Sequence, residues 1–268
     1  VIRLGAPGVV HRVVVDTTHF SGNHPARVGV WGTRAGPGLT PAQAGRLAGR
    51  SDAWTLLGGL EPVAPDAPNV LDVDDPHRWT HLRLDVHPDG GVARVRVYGE
   101  AVPDPALVGA WEVVDLAALE HGGRITAASN GHYGSPGWLL APGPPRDMGE
   151  GWETARRRSP GHEWVRLRLG LPGRIRVLEL DTSCYLHNAP GEVEVVTETG
   201  QPLLARTGLP PDTRTRFLVD GVAEELTVRI HPDGGLARVR AWGTPTPTGL
   251  VDLRRRWEET GGPVVTAP

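Results

Sequence analysis

The stretch HPDGGVARVRVYG occupies residues 87–99, and HPDGGLARVRAWG occupies residues 231–243. The two stretches are identical at ten of thirteen positions and lie 144 residues apart. In the first copy, apolar and polar residues alternate on both sides of Pro-Asp-Gly-Gly, which is the pattern of two strands joined by a turn. Proline presets φ in such a turn, and glycine permits a positive φ. We therefore predict a β-hairpin in each copy, with an architectural role.

A second repeated block extends the duplication. LGAPGVVHRVVVDTTHFSGNHP (4–25) aligns without gaps to LGLPGRIRVLELDTSCYLHNAP (169–190), at an offset of 165 residues. The difference between the two offsets places a 21-residue insertion in the first copy, within 34–79. That segment is rich in Ala, Gly and Pro, and we expect it to be mostly loop. A duplicated unit of this length predicts two domains of the same fold, because solenoid repeats are much shorter.

Strand patterns dominate the chain. WVRLRLG (164–170) and EVEVV (192–196) also alternate between apolar and polar residues. Turn signals recur between these short strands, as is typical of antiparallel sandwiches and barrels. The fold class that the pattern predicts is therefore all-β.

Two stretches have the composition of helices that stop at a Gly-Gly pair, at 106–123 and 250–262. Each follows one copy of the repeated stretch at a comparable distance. We predict a first domain over 1–103 and a second domain over 104–268, with a connecting helix at about 106–123 in the second.

The charge composition excludes several function classes. The formal net charge is −3, and no basic stripe occurs beyond Arg-Arg-Arg at 156–158 and 254–256, so nucleic-acid binding is not predicted. All 28 basic residues are arginine, which excludes a lysine Schiff base. Arginine stays protonated near neutral pH, so it binds anions and does not shuttle protons.

The cysteine content bears on the cellular compartment, and the first residues bear on how much of the repeat is present. A single cysteine, Cys184, permits no intrachain disulfide and fits a reducing compartment such as the cytoplasm. No long apolar run predicts a membrane span. The sequence opens at Val1 inside a strand pattern, so we expect part of the first repeat to precede it.

The segment 129–164 is dense in polar and ring residues and holds most of the candidate chemistry. A carboxylate, two histidines and an arginine cluster are the groups needed to bind a small anion and to move a proton. The candidates are Glu153, His132, His162, Arg156, Arg157, Asn130 and Tyr133. From spacing alone, a solvated loop with a charged turn is the favoured interpretation.

The first repeat offers Asp16 and His19 after the strand VVVD. An aspartate at a strand end orients a base or caps a turn, and capping is the favoured interpretation from the sequence. Cys184 stands at the position of His19 in the second repeat, which argues against one chemistry being used twice.

The repeated stretch itself offers two further candidates. Arg94 and Arg238 alternate with apolar residues, so we expect them on the polar outer face of their strands, paired with acids or contacting a substrate carboxylate. His87 and Asp89 are half of a metal site at most, and a structural turn explains them better. We predict no metal and no cofactor.

Several motifs together resemble the allantoicase (allantoate amidinohydrolase) family. They are GWETARRRSPGHEWVRLRLG (151–170), VVVDTTHFSGNHP (13–25), SNGHYGSPGWLLAPGPPRDMGEGWET (129–154) and the twice-written PDGG-x-AR-x-R. The resemblance runs through nearly the whole chain. It implies two tandem jelly-roll (galactose-binding-like) β-sandwich domains with short helices. It also implies that the N-terminal part of the first repeat, the counterpart of 112–164, is missing here.

The resemblance implies a reaction, the hydrolysis of allantoate to ureidoglycolate and urea in the degradation of purines through allantoin. This chemistry needs a cation for the substrate carboxylate, hydrogen-bond partners for two ureido groups, and an acid–base group. It also implies a homo-oligomer whose partner is the small substrate.

We assign these roles as a hypothesis. Glu153, with His132 or His162, is assigned acid–base catalysis. Arg156 or Arg157 is assigned binding of the substrate carboxylate. The further candidate substrate contacts are Asn130, Tyr133, Asp16, His19, Asn23, Arg94 and Arg238.

Two other functions stay open from the sequence. One is a carbohydrate- or small-ligand-binding jelly-roll module without catalysis, because fold alone does not decide function. The other is a degenerate enzyme that serves as a structural subunit. The sequence also leaves open which repeat holds a working site and whether a metal is needed.

Overall fold

The computed structural model describes residues 1–36 and 39–261. These residues form two compact units, Val1–Pro103 with the described residues from Arg255 onward, and Asp104–Arg254. Each unit contains a seven-stranded antiparallel sheet system, and a separate three-stranded sheet lies in the second unit. The prediction of an all-β protein built from two β-sandwiches is confirmed.

The first unit is built from seven strands and one helix. They are β1 (Ile2–Asp16), β2 (Arg27–Thr33), α1 (Pro41–Ala48), β3 (Thr55–Leu56), β4 (Glu61–Pro62), β5 (Pro68–Asp72), β6 (Arg78–His87) and β7 (Arg94–Ala101). The strand order is β3-β2-β6-β1-β5, with β4 also paired to β2 and β7 also paired to β1.

The second unit holds helix α2 (Pro105–Ala110) and the remaining strands. These strands are β8 (Val114–Asp115), β9 (Arg124–Ala128), β10 (Tyr133–Gly134), β11 (Trp152–Glu153), β12 (Glu163–Asp181), β13 (Glu192–Thr197), β14 (Pro202–Gly208), β15 (Arg214–His231), β16 (Gly235–Leu236) and β17 (Arg238–Pro245). Helix α3 (Pro247–Glu259) begins in the second unit, and its residues from Arg255 onward belong to the first. The main order is β14-β13-β15-β12-β17-β8, with β9 also paired to β12, and the small sheet has the order β10-β11-β16.

The long strand β12 has different partners along its length. Its first part pairs with β9, and its second part, from Gly173, pairs with β17; the register shifts between Arg168 and Gly173. A Cβ at Gly173 would lie 2.6 Å from the side chain of Leu116 and 2.7 Å from a backbone oxygen of Thr244, so only glycine fits this crossing. In β1 the register shifts between Arg3 and Gly8.

The prediction of a hairpin in each copy of the repeated stretch is wrong. Strands β6 and β7 both pair with β1, and β15 and β17 both pair with β12. The turn therefore carries the chain from one side of a central strand to the other. A period-2 pattern identifies strands but not their partners, because any neighbour that buries the same face satisfies it.

The glycines of the repeated stretch are fixed by what packs against them. Gly90 and Gly234 have φ values of 137° and 136°, a region that glycine occupies at no steric cost. A Cβ on Gly91 would overlap the ring of Phe20, and a Cβ on Gly235 would overlap the ring of Tyr185. In both units, then, an aromatic ring from the loop after the central strand lies on the turn.

Alternating residues of the central strands form the cores. In the first unit Val13 and Val15 are 1% and 0% exposed, and in the second unit Leu178 and Leu180 are both 0% exposed. Complete burial of one such side chain stabilises a fold by about 1.5–3 kcal/mol. The cores thus consist of the apolar positions that the alternation marks.

The helix predictions have mixed outcomes. Helix α3 confirms the helix expected at 250–262, as far as the described residues reach. The connecting helix expected at 106–123 is wrong beyond Ala110, because residues 114–115 form β8, which pairs with β17. About half of the described residues in 34–79 lie in helices and strands, so the segment holds more regular structure than the expectation of mostly loop. It includes α1, which begins at a capping box formed by Thr40 and Gln43.

We predict that Gly235→Ala destabilises the second unit by about 1–3 kcal/mol, because the new methyl group overpacks against Tyr185. Gly208→Ala is the matched control, since nothing lies within 4 Å of a Cβ there. Denaturant unfolding of both variants tests this. Equal midpoints for the two variants would contradict the packing account.

Candidate active site

The second copy of the repeated stretch serves as the platform of the candidate site. Strand β11 pairs with β16, so Glu153 lies opposite Gly235, and β10 pairs with β11, so Tyr133 lies opposite Glu153. The amide of Thr154 donates a 3.0 Å hydrogen bond to the carbonyl of Gly234. The segment GWET is therefore held on the Gly-Gly turn by backbone pairing.

Glu153 is the half-buried carboxylate of this platform. Its Oε1 accepts a 2.8 Å hydrogen bond from Nδ2 of Asn188, and its backbone carbonyl accepts a 2.9 Å hydrogen bond from the amide of His132. The side chains of His132 and Tyr133 are exposed beside it. One carboxylate oxygen is thus held in place, while Oε2 takes part in no hydrogen bond among the described residues.

Arg157 and Asn130 hold the segment in place. Arg157 Nη1 lies 2.7 Å from Oε1 of Glu163, and its amide donates a 2.7 Å hydrogen bond to Asp233. Asn130 Oδ1 accepts a 2.9 Å hydrogen bond from the amide of Ala155. Both predicted substrate contacts are therefore already engaged within the protein.

The ionisation of Glu163 reflects this network. Burial opposes its ionisation, but hydrogen bonds from Ser129, Arg157 and Asn130 outweigh burial and hold the pKa of Glu163 below its usual value. Sequence reasoning did not select Glu163, Asn188 or Asp233. The duplication could have pointed to Asn188 and Asp233, because both recur in the first copy, as Asn23 and Asp89.

Arg156 and His162 differ in their surroundings. Arg156 is exposed and takes part in no hydrogen bond or ion pair among the described residues. The ring of His162 lies 5.0 Å from that of His231, centroid to centroid, at an angle of 45°. His162 is therefore grouped with His231, and no contact joins it to Glu153 in the described part of the chain.

In the first unit, Asp16 closes a turn. The carboxylate of Asp16 accepts hydrogen bonds from the hydroxyl group of Thr18 and from the amide of Thr18, the latter at 3.0 Å. It also accepts a 3.2 Å hydrogen bond from Nη1 of Arg96. These bonds lower the pKa of Asp16 to about 2. Asp181 accepts the equivalent bond from Ser183 in the second unit, at 2.8 Å. The aspartate common to both repeats thus fixes the backbone.

His19 and Asn23 also have backbone roles. His19 has a φ of 72°, as does its counterpart Cys184, and its amide donates a 2.8 Å hydrogen bond to Asp66. The carbonyl of Asn23 accepts a 2.7 Å hydrogen bond from Gly91. Both side chains are exposed. The structure does not bring these residues into a cluster like the one around Glu153.

Arg238 lies on the charged face of its strand, opposite Asp181, as expected, but the expectation that this face is an outer one is wrong. Arg238 is 2% exposed, and its Nε donates a 3.0 Å hydrogen bond to the carbonyl of Gly143. Burial lowers the pKa of its guanidinium group. The loop that follows Leu140 covers this face in the second unit, whereas Arg94, at the equivalent position of the first unit, is exposed.

The described residues also bear on the predictions about metals and membranes. No group of three or more His, Cys, Asp or Glu side chains is close enough to hold a metal ion within 1–36 and 39–261. No helix in the same ranges is long and apolar enough to cross a membrane. The absence of a metal requirement stays a prediction.

The fold and the site together define a tandem-repeat β-sandwich protein whose second repeat presents Glu153, with His132 and Tyr133 beside it in the backbone pairing, on the segment before its central strand. A family model for the allantoicase repeat matches residues 1–102 and 114–246, so it matches both repeats. The chain therefore belongs to the allantoicase family.

Individual relatives agree with this assignment. A probable allantoicase of Nocardia farcinica is 51% identical over 250 residues, which cover 91% of this chain and 74% of that protein. A probable allantoicase of Streptomyces avermitilis is 43% identical, with 97% and 70% covered. The crystal structure of allantoicase from Saccharomyces cerevisiae superposes with a TM-score of 0.79 at 27% identity, covering 90% of this chain and 75% of that one.

We predict a pH-dependent effect of Glu163→Gln. At pH 7 the variant loses a charge-assisted hydrogen bond and unfolds more easily by about 1–3 kcal/mol. The pKa of Glu163 in the folded protein lies below its ordinary value. Its stabilisation is therefore complete above that value and is lost as the pH falls through the folded pKa. Urea unfolding at a series of pH values measures how the difference in free energy of unfolding between wild type and Glu163→Gln decreases as the pH falls.

Glu192→Gln is the control for this experiment. The ion pair of Glu192 with Arg206 is about half exposed, with side-chain exposures of 45% and 55%, so its loss changes stability by less than about 1 kcal/mol. A difference between wild type and Glu163→Gln that stays constant down to acid pH would contradict the network described above.

Proposed function

We propose that this protein hydrolyses allantoate to ureidoglycolate and urea, a step in the degradation of purines through allantoin. One observation carries the proposal: the allantoicase repeat matches both halves of the chain. Identity of 51% to a probable allantoicase over 91% of the chain supports it. The carbohydrate-binding alternative has no comparable support.

We place the acid–base work on Glu153. Hydrolysis must protonate the ureido nitrogen that leaves and take a proton from the water that adds to the central carbon. Asn188 holds one oxygen of Glu153, which leaves the other to exchange a proton with water. His132 lies next to Glu153 through the backbone bond and supplies the second proton-transfer group. Water adds to the carbon as the C–N bond breaks, and urea departs.

Arg156 is our choice for the substrate carboxylate. The sequence left Arg156 and Arg157 as alternatives. Arg157 forms an ion pair with Glu163, so its guanidinium group is already engaged within the protein. A guanidinium group pairs with a carboxylate through two parallel hydrogen bonds. Tyr133 is the exposed candidate for the ureido groups, and Asn130 positions the loop.

The second repeat is our choice for the working site. Glu153 comes from the segment that precedes the central strand β12, and it pairs with Asn188. Asn23, the counterpart of Asn188, is exposed. We therefore prefer the residues around Glu153 as substrate contacts over Asp16, His19 and Arg94 of the first repeat.

The wider setting is part of the same proposal. We infer a cytoplasmic protein from the single cysteine, and a homo-oligomer without a cofactor from the family resemblance. Sedimentation of the purified protein tests the oligomeric state.

We predict that Glu153→Gln lowers kcat for urea release from allantoate by at least about 100-fold, because an amide cannot exchange the proton. Glu224→Gln is the matched control, since the side chain of Glu224 is 62% exposed and its nearest cation is 3.7 Å away. Turnover of the control at the wild-type rate is expected. Near-normal turnover of Glu153→Gln would remove Glu153 from the mechanism, and no urea release by the wild type would overturn the function.

A further inference from the structure

The first half of strand β15 has an open edge. Residues 214–223 pair with the second part of β12 on one side, whereas β13 joins the other side of β15 only from Leu226 onward. In the described part of the chain no other strand pairs with residues 214–222, which we call the open edge. In an antiparallel strand, alternate residues direct their backbone N–H and C=O groups to opposite sides. The open edge can therefore pair with one more strand.

Leu218 lies in the middle of the open edge and is 91% exposed. Val222 lies on the same face of the strand and is 56% exposed. The other side chains of this face are charged, and those of Arg216 and Asp220 are 65% and 50% exposed. An exposed apolar side chain on an unpaired strand edge favours pairing with another chain, and most proteins avoid it there. Leu218 therefore marks this edge as a contact surface.

The equivalent edge of the first unit has a protected form. Strand β5 pairs with β1 as β15 pairs with β12, and the register places Asp72 at the position of Leu218. Asp72 forms a 2.7 Å ion pair with Arg12. The strand also begins at Pro68, which has no backbone N–H to donate. The duplicated fold therefore does not require an apolar residue at this position, and a contact specific to the second unit accounts for Leu218.

A second copy of the same edge is the partner whose charges fit. A two-fold axis at Leu218 pairs the two edges antiparallel and places Leu218 opposite its own copy. The same axis places Arg216 opposite Asp220 of the second copy. Within its own chain, Arg216 is bonded to Glu179 through Nε alone, so both of its Nη nitrogens remain to donate. Asp220 is bonded to Arg174 on the other side and is half exposed, so its carboxylate accepts further bonds.

This register also fits the inner face of the sheet. Phe217 lies opposite the fully buried Leu178, so Phe217 and Val219 face the core. The two-fold axis places Phe217 opposite Val219 of the second copy. Apolar residues thus meet on the core side, while Leu218 and the charged pairs meet on the outer side. A shift of the register by one residue moves the axis away from Leu218 and separates Arg216 from Asp220.

We propose that the protein associates with a second copy of itself through the open edge, so that the two β15 strands form one antiparallel ladder centred on Leu218. The interface is isologous, because the same residues serve both copies. The proposal gives the inferred homo-oligomer a specific surface, so it rests on that part of the proposed function and not on the site of hydrolysis.

Sedimentation velocity of the whole protein over a concentration series tests the association. The wild type is expected to form dimers or larger assemblies. Leu218→Lys is expected to raise the dissociation constant at least about tenfold, because two like charges then face each other at the axis. Its thermal unfolding midpoint is expected to equal that of the wild type, since residue 218 is almost fully exposed within its own chain.

Val251→Lys is the matched control for this experiment. Val251 lies on α3 and is 63% exposed, so the same substitution is made outside the open edge. This variant is expected to associate like the wild type. A wild type that is monomeric at every concentration, or a Leu218→Lys variant that associates like the wild type, overturns the proposal.

Disulfide trapping tests the register. In a Cys184→Ser background, Leu218→Cys places two thiols directly opposite each other, at a Cα separation of about 4.5–5.5 Å that a disulfide can span. Val222→Cys is the control, because the two copies of residue 222 are eight residues apart along the ladder, about 27 Å. Mild oxidation is expected to link the first variant into a covalent dimer and to leave the second unlinked. The opposite result, or no covalent dimer from Leu218→Cys, overturns the register.

Urea release from allantoate separates this proposal from the proposed reaction. A wild type that releases no urea but associates through Leu218 supports the interface and overturns the reaction. Normal turnover together with association that Leu218→Lys does not weaken overturns the interface alone.

Discussion

The docking of a Gly-Gly turn against the loop that follows the central strand is the interaction on which the rest of this structure depends. In the second unit Gly235 lies under the ring of Tyr185 and donates a 2.8 Å hydrogen bond to the carbonyl of Asn188. In the first unit Gly91 makes the same contacts with Phe20 and Asn23. This docking fixes the turn that carries the chain past the central strand. In the second unit it also presents the edge on which the segment with Glu153 pairs.

The two repeats share what holds the backbone and differ in what is available for chemistry. Asp16 and Asp181 close the same turn, and Asn23 and Asn188 accept the same hydrogen bond from the backbone. Among the residues that the structure describes, the asparagine side chain holds a carboxylate in the second unit alone. A residue that recurs in a duplicated domain is therefore explained first by the fold.

The sequence predicted the strands, the duplication and the all-β class, because alternation and turn residues are local signals. It did not predict strand partners. The hairpin prediction failed because the same alternation serves β6 and β7 whether they pair with each other or with β1. The helix predicted at 106–123 failed because the tertiary pairing of β8 with β17 overrides helix propensity.

The site was predictable in part. The polar segment 129–164 does contain the carboxylate that the fold positions, and residue types together with the family resemblance selected Glu153, although spacing alone favoured a solvated loop. Burial was not predictable, because Arg238 alternates like an exposed residue and becomes covered only by a loop distant in the sequence. The ion pair between Arg157 and Glu163 was equally unpredictable from the sequence, because it forms only when the chain turns back at residues 158–162.

The central claim is that the second repeat presents the catalytic carboxylate on the repeated turn. A crystal structure of the Glu153→Gln variant with allantoate bound tests it most directly. Substrate is expected within hydrogen-bond distance of residue 153, with its carboxylate against Arg156. Substrate bound instead beside Asp16, His19 and Asn23, with the loop of Glu153 unoccupied, would contradict it.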